Sequence, residues 1–126
     1  SEQTQPSEIC SIETDGYTSG AAIANGYAFF ISREVLHVVD ITIPSACHSI
    51  SQLVYPGMVS ELTVIDNIAY LANGSYGLRV LDLANIQGPV ELASYPSRLA
   101  VALAVQDGYL YLADCAEGLQ IFAHGA

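Results

Sequence analysis

The side chains with which this sequence could do chemistry are mainly carboxylates: thirteen Asp and Glu stand against three Arg, no Lys and three His. A pair of carboxylates can share general acid and base work on a glycosidic bond, and a larger group can hold a cation. Both need side chains brought together at a set separation, and no spacing here selects such a group. Asp40 and Asp82 each close a run of apolar residues. An aspartate there can accept from the backbone just after it and shape a turn, the simpler role for a position that recurs. Asp66 and Asp107 stand beside Asn67 and Gly108, with Asn25 in the matching place before Gly26. Those are turn-forming pairs, not calcium ligands in a loop. His37, His48 and His124 are scattered, without an H-x-x-x-H or H-E-x-x-H spacing, and no serine sits in a nucleophile elbow. No catalytic residue, metal site or cofactor is assigned.

The bulk composition narrows the partners. A net charge of −10 over 126 residues repels phosphate backbones and anionic lipid, so nucleic acid is not expected as a partner. Hydrophobic residues make up 52% of the chain and charged ones 13%, the balance of a packed domain. No apolar run reaches the eighteen or so residues of a membrane helix, so membrane insertion is not expected. Three cysteines without a C-x-x-C exclude the common zinc and redox motifs. The polar start, Ser1 to Ser7, lacks a basic-then-apolar leader pattern and reads as a processed end or a chosen boundary.

Position in the chain comes from a repeat. Gly26-Tyr27-Ala28-Phe29-Phe30-Ile31 aligns with Asn67-Ile68-Ala69-Tyr70-Leu71-Ala72 and with Gly108-Tyr109-Leu110-Tyr111-Leu112-Ala113, at steps of 41 residues. A second block follows each: Leu36-His37-Val38-Val39-Asp40, Leu78-Arg79-Val80-Leu81-Asp82 and Leu119-Gln120-Ile121-Phe122-Ala123. A period near forty filled with strand-like segments is what propeller blades produce. In the middle copy the alternation and turn residues predict strands A to D at 62–65, 68–72, 78–83 and 90–95. Strands B and C are apolar on both faces, as required where blades stack on neighbours on either side.

The reading is therefore all-β, a single half-propeller domain over 1–126. An N-terminal strand at 8–14 matches the D strands at 49–54 and 90–95, and repeats follow over about 20–55, 61–95 and 102–126. Three blades make an arc with two naked faces and unpaired edges. Two arcs, each lending its N-terminal strand to the other's last blade, would close a six-bladed ring on a two-fold axis. The expected partner is thus a second copy, a homodimer; a piece of a longer propeller is the competing reading.

The D–A and B–C loops gather on one face of such a ring. They hold Asp15, Tyr17, Met58, Glu61 and Arg98, with Arg33, Glu34, Asn73, Tyr76, Asp114 and Glu117. These residues do not repeat in type, so the repeat does not account for them, and loops on a rigid scaffold concentrate binding groups. Tyr17, Met58, Glu61, Tyr76, Arg98, Asp114 and Glu117 are the candidate ligand-binding set. Cys115 is in the same loops, with no basic neighbour to activate its thiol. Cys10, in the first outer strand, and Cys47, in the next C–D loop, fall on one rim. A disulfide between them would imply an oxidising compartment; two unrelated buried thiols are the alternative.

The chain lacks the Trp and Gly-His signatures of WD40 repeats. Its stretch Ala69-Tyr70-Leu71-Ala72-Asn73-Gly74-Ser75-Tyr76-Gly77-Leu78-Arg79-Val80-Leu81-Asp82-Leu83 resembles the core of the LVIVD repeat of bacterial and archaeal propellers, and residues 110–122 give a second copy. The first copy departs, with Ser32-Arg33-Glu34-Val35 in place of the glycine-rich turn, and Ala123 stands where the third should end in Asp. The resemblance implies a propeller at a cell surface or secreted, and implies no activity, because fold does not fix function. The expected role is a non-catalytic module that binds a protein or small ligand through its loop face. The alternative is a hydrolase of the glycosidase or lactonase kind, with acidic residues at the channel mouth.

Overall fold

Three two-residue turns organise the strands. Asn25-Gly26, Asp66-Asn67 and Asp107-Gly108 all have both residues at positive φ, between 49° and 84°. That is the type I′ geometry whose twist matches paired strands, and Asn, Asp and Gly bear it best. The computed structural model describes residues 5–14, 16, 18–54 and 59–123. Around the turns it builds three antiparallel sheets. Blade 1 is β1 (Thr18–Ala24), β2 (Tyr27–Ser32), β3 (Val35–Asp40) and β4 (His48–Val54); blade 2 is β5 (Glu61–Ile65), β6 (Ile68–Ala72), β7 (Leu78–Asp82) and β8 (Val90–Tyr95). The third sheet holds β9 (Ala100–Gln106), β10 (Tyr109–Asp114) and β11 (Gly118–Ala123), with β10 in the middle. The strands expected in the middle copy are present within one residue at either end.

The repeated aspartates close turns. Asp40 Oδ1 accepts from the Thr42 amide at 2.9 Å and its hydroxyl at 2.7 Å, and Asp82 Oδ1 accepts from the Ala84 amide at 2.8 Å. The bonds to Thr42 hold the Asp40 carboxyl below its ordinary pKa. In parallel, the Ile41 amide donates to Gly26 O and the Leu83 amide to Asn67 O, tying each C strand to the turn beneath it.

Pleat alternation divides each blade into a forward face and a backward face. The forward face of blade 1, with Phe29, Ile31, Leu36 and Val38, packs on the backward face of blade 2, with Leu62, Ala69, Leu71 and Leu81. The forward face of blade 2, with Tyr70, Ala72 and Leu78, packs on Leu110 and Leu112 of the third sheet. Two apolar cores thus lie between blades, as double-sided apolar strands require.

Residues 8–14 form no strand in the single chain. A strand needs an edge to pair with, and the edge expected for these residues belongs to another copy. They are instead fastened to blade 1: Cys10 and Cys47 are joined by a disulfide, with Cα atoms 6.2 Å apart.

Candidate functional site

The D–A and B–C connections do come together. Gly74, in the β6–β7 loop, exchanges both backbone hydrogen bonds with Ala100 at the start of β9, at 3.0 and 2.9 Å. The Ser60 amide donates to Ala72 O, its hydroxyl to Val101 O at 2.7 Å, and the Cys115 amide to Leu99 O. One loop face is therefore knitted across the junction of blade 2 with the third sheet.

Asp114 is the centre of that face. It is buried at the end of β10. Its Oδ2 accepts from the Ser97 hydroxyl and from the amides of Arg98 at 2.8 Å and Leu99 at 3.2 Å. Its Oδ1 accepts from the amides of Ala116 at 2.7 Å and Glu117 at 2.9 Å. Five donors aimed at one carboxylate, led by the Ser97 hydroxyl, hold its pKa far below the ordinary aspartate value. The residue thus orders both the D–A connection before β9 and its own B–C turn.

Glu61 plays a related part, its Oε1 accepting from the Leu103 amide at 2.5 Å across the blade junction. The two best-placed carboxylates of the expected site are thus engaged by the chain itself. Arg98 and Glu117 supply backbone amides to Asp114 while both residues stand exposed. Tyr76 is about half exposed, in the β6–β7 loop. Tyr17 and Met58, with Asp15 and His124, lie outside the described residues. Cys115 is a free, exposed thiol. Among the described residues no three His, Cys, Asp or Glu side chains are grouped as metal ligands.

The alignment also holds a signal that the residue types concealed. Ser32, Asn73 and Asp114 occupy one repeat position where the B strand ends, Ser32 and Asp114 as its last residue and Asn73 just after it, and all three are buried. Asn73 caps its turn, its amide donating to Gly77 O and its Oδ1 accepting from Arg79, which also pairs with Glu91 at 2.5 Å. At Asn73 and Asp114 the position is a buried polar anchor for the B–C turn, with a different side chain in each copy.

Because Asp114 is hydrogen-bonded as the anion, its contribution to stability has a definite sign with pH. A carboxyl whose folded pKa is depressed stabilises the fold fully above its unfolded value, near 3.8, and loses that as pH falls towards the folded value. Thermal melts from pH 7 to pH 2 are expected to show the wild-type chain losing stability below about pH 4, with Asp114→Asn less stable at pH 7 and less sensitive below pH 4. Equal acid sensitivity in both would remove Asp114 as the residue responsible.

With this geometry in place, the model of the LVIVD repeat matches residues 56–96 and 97–122, more than half of the chain. The chain belongs to the LVIVD repeat family. No curated protein matches it in sequence. Among solved structures, it is similar to the computationally designed Ika4 protein, with a TM-score of 0.73 and 15% identity over 94% of this chain and 74% of that one. It also resembles the designed Ika8 protein, with a TM-score of 0.65 and 16% identity over 84% of this chain and 33% of that one. The N-terminal domain of Nup159 aligns with a TM-score of 0.57 and 18% identity, over 82% of this chain and 26% of that domain. These likenesses show a propeller-like fold. The LVIVD chain spans about a third of Ika8 and a quarter of the Nup159 domain.

Proposed function

We propose that this LVIVD protein is a binding or scaffold module that works as one half of a six-bladed ring closed by a second copy. The observation that carries the reading is a break in the burial of equivalent residues. Leu36 and Leu78, on the forward faces of blades 1 and 2, are 0% and 1% exposed; their counterpart Leu119 is 61% exposed. Val38 is likewise 0% exposed, and its counterpart Ile121 is 57% exposed, with Tyr109 open beside them. Cross-strand register puts Tyr109, Tyr111, Leu119 and Ile121 on one face of the sheet. That is a core face that no described residue covers.

The matching cover exists on the same molecule. Ala69, Leu71 and Leu81 form the backward face of blade 2, and Ala28, Phe30 and Val39 are their counterparts in blade 1. A surface that needs a backward face and a backward face that can receive it point out of opposite ends of one arc. Two arcs related by a two-fold axis satisfy both. The loop faces of both copies would then surround one channel mouth, presenting Tyr76 and Arg98 as aromatic and cationic anchors from each copy. Engagement of Glu61 and Asp114 by backbone amides favours binding over hydrolysis there.

Light scattering on the whole chain at micromolar concentration tests the reading. A mass near twice 13.4 kDa is expected. A stable single-chain mass would overturn it.

A further inference from the structure

We infer that the Cys10–Cys47 disulfide holds residues 8–13 as a ready-made outer strand for β11 of a second copy, so that the bond acts as a latch on ring closure. The inference rests on the ring reading and adds the element that seals it. β3 and β7 are each covered on their outer edge by β4 and β8, whereas the described residues place no strand beyond β11.

The contacts of the N-terminal segment show whose place it occupies. Ser51, on β4, donates its hydroxyl to Ile86 O at 3.1 Å, so the outer strand of one blade touches the C–D loop of the next. Cys10 aligns with Ser51 one repeat earlier, and it is bonded to Cys47, in the C–D loop of blade 1. The segment therefore sits where the outer strand of a blade preceding blade 1 would lie.

Register makes the match specific. Val38 pairs with Ser51 and Leu36 with Leu53. Shifted by the repeat, Ile121 meets Cys10 of the second copy and Leu119 meets Ile12 of the second copy. The Gln120 Oε1 atom, buried and without a hydrogen-bond partner among the described residues, then faces the hydroxyl-bearing Ser11 of the second copy, as Arg79 faces Ser94. Between the segment and blade 1 a cavity of about 350 Å³ is lined by Cys10, Ile12, Ala28, Phe30 and Val39. In the completed junction Leu119 and Ile121 of one copy fill it, as Leu36 and Val38 fill the junction of blades 1 and 2.

Without the disulfide the segment must be ordered during association, and that entropy weakens binding. Reduction by a dithiol transfers two electrons and two protons, leaving two cysteine thiols and the reagent's own disulfide.

Sedimentation of the oxidised chain, the chain in dithiothreitol, and the Cys10→Ser/Cys47→Ser chain tests this. The dissociation constant is expected to rise at least about tenfold on losing the bond by either route. Amide exchange in residues 119–123 should be protected in the oxidised dimer and released in parallel. A Cys10→Ser/Cys47→Ser chain that dimerises as tightly, with residues 119–123 equally protected, overturns the latch and leaves the ring standing. An oxidised chain that never dimerises overturns both.

Discussion

Replacing Leu119 and Ile121 together by aspartate is expected to raise the dissociation constant of the two-chain ring by more than about a hundredfold. Both side chains are mostly exposed in the single chain, so its own fold should keep its melting temperature and strand content. In the ring each would be buried like Leu36 and Val38, a burial that contributes roughly 1.5–3 kcal/mol per side chain. An aspartate at either place would instead carry an unpaired charge into an apolar junction, which costs more than the lost burial. Sedimentation equilibrium on variant and parent, with circular dichroism as the folding control, reads the effect. Unchanged association would mean that this face is not the interface. The same pair changed to alanine should weaken association less, because the contact is lost without a buried charge.

The second large effect concerns the B–C turn of blade 2. Gly77→Ala is expected to destabilise the chain by about 3 kcal/mol or more, a large share of the 5–15 kcal/mol typical of a domain. Two causes act together. Gly77 has φ +81°, a region that costs a residue with a Cβ roughly 1–2 kcal/mol. An added Cβ there would also lie 2.1 Å from Tyr95 O and 3.0 Å from the Ser97 amide nitrogen, so the backbone itself must move. Ser97 donates to Asp114, and the disturbance would spread into the loop face. Two controls separate the causes. Gly108 has φ +84° with nothing near its would-be Cβ, so Gly108→Ala should show only the conformational part, about 1–2 kcal/mol. Gly88 has neither feature, and Gly88→Ala should be close to neutral. Urea unfolding of the three variants gives the order directly. Equal losses at Gly77 and Gly108 would show that the Tyr95 carbonyl yields easily.

The residues differ in how much of this was legible before the structure. The A–B turns were, because Asn25-Gly26, Asp66-Asn67 and Asp107-Gly108 are local chemistry: two adjacent positions needing positive φ, filled by residues that accept it. The strands around them followed from alternation, and the inter-blade cores from strands apolar on both faces. The aspartates closing the C strands are equally local, since Asp40 and Asp82 bond to the backbone two residues on.

Asp114 and Glu61 were legible only as loop carboxylates facing a channel mouth. Their hydrogen-bond partners include amides 15 and 16 residues away in sequence, brought alongside by the pairing of β9 with β10, and an amide 42 residues away, reached only when blade 2 stacks on the third sheet. The segment at 8–14 shows the same division. Its pattern matches an outer strand, yet it pairs with no sheet edge in the single chain, while its cysteine finds the rim of blade 1. The sequence by itself determined period, turns and which faces must be buried, since these depend on φ, ψ and hydrophobicity within one repeat. The tertiary structure decided which polar groups are satisfied internally and which core faces remain uncovered, because both depend on the neighbour that each blade meets.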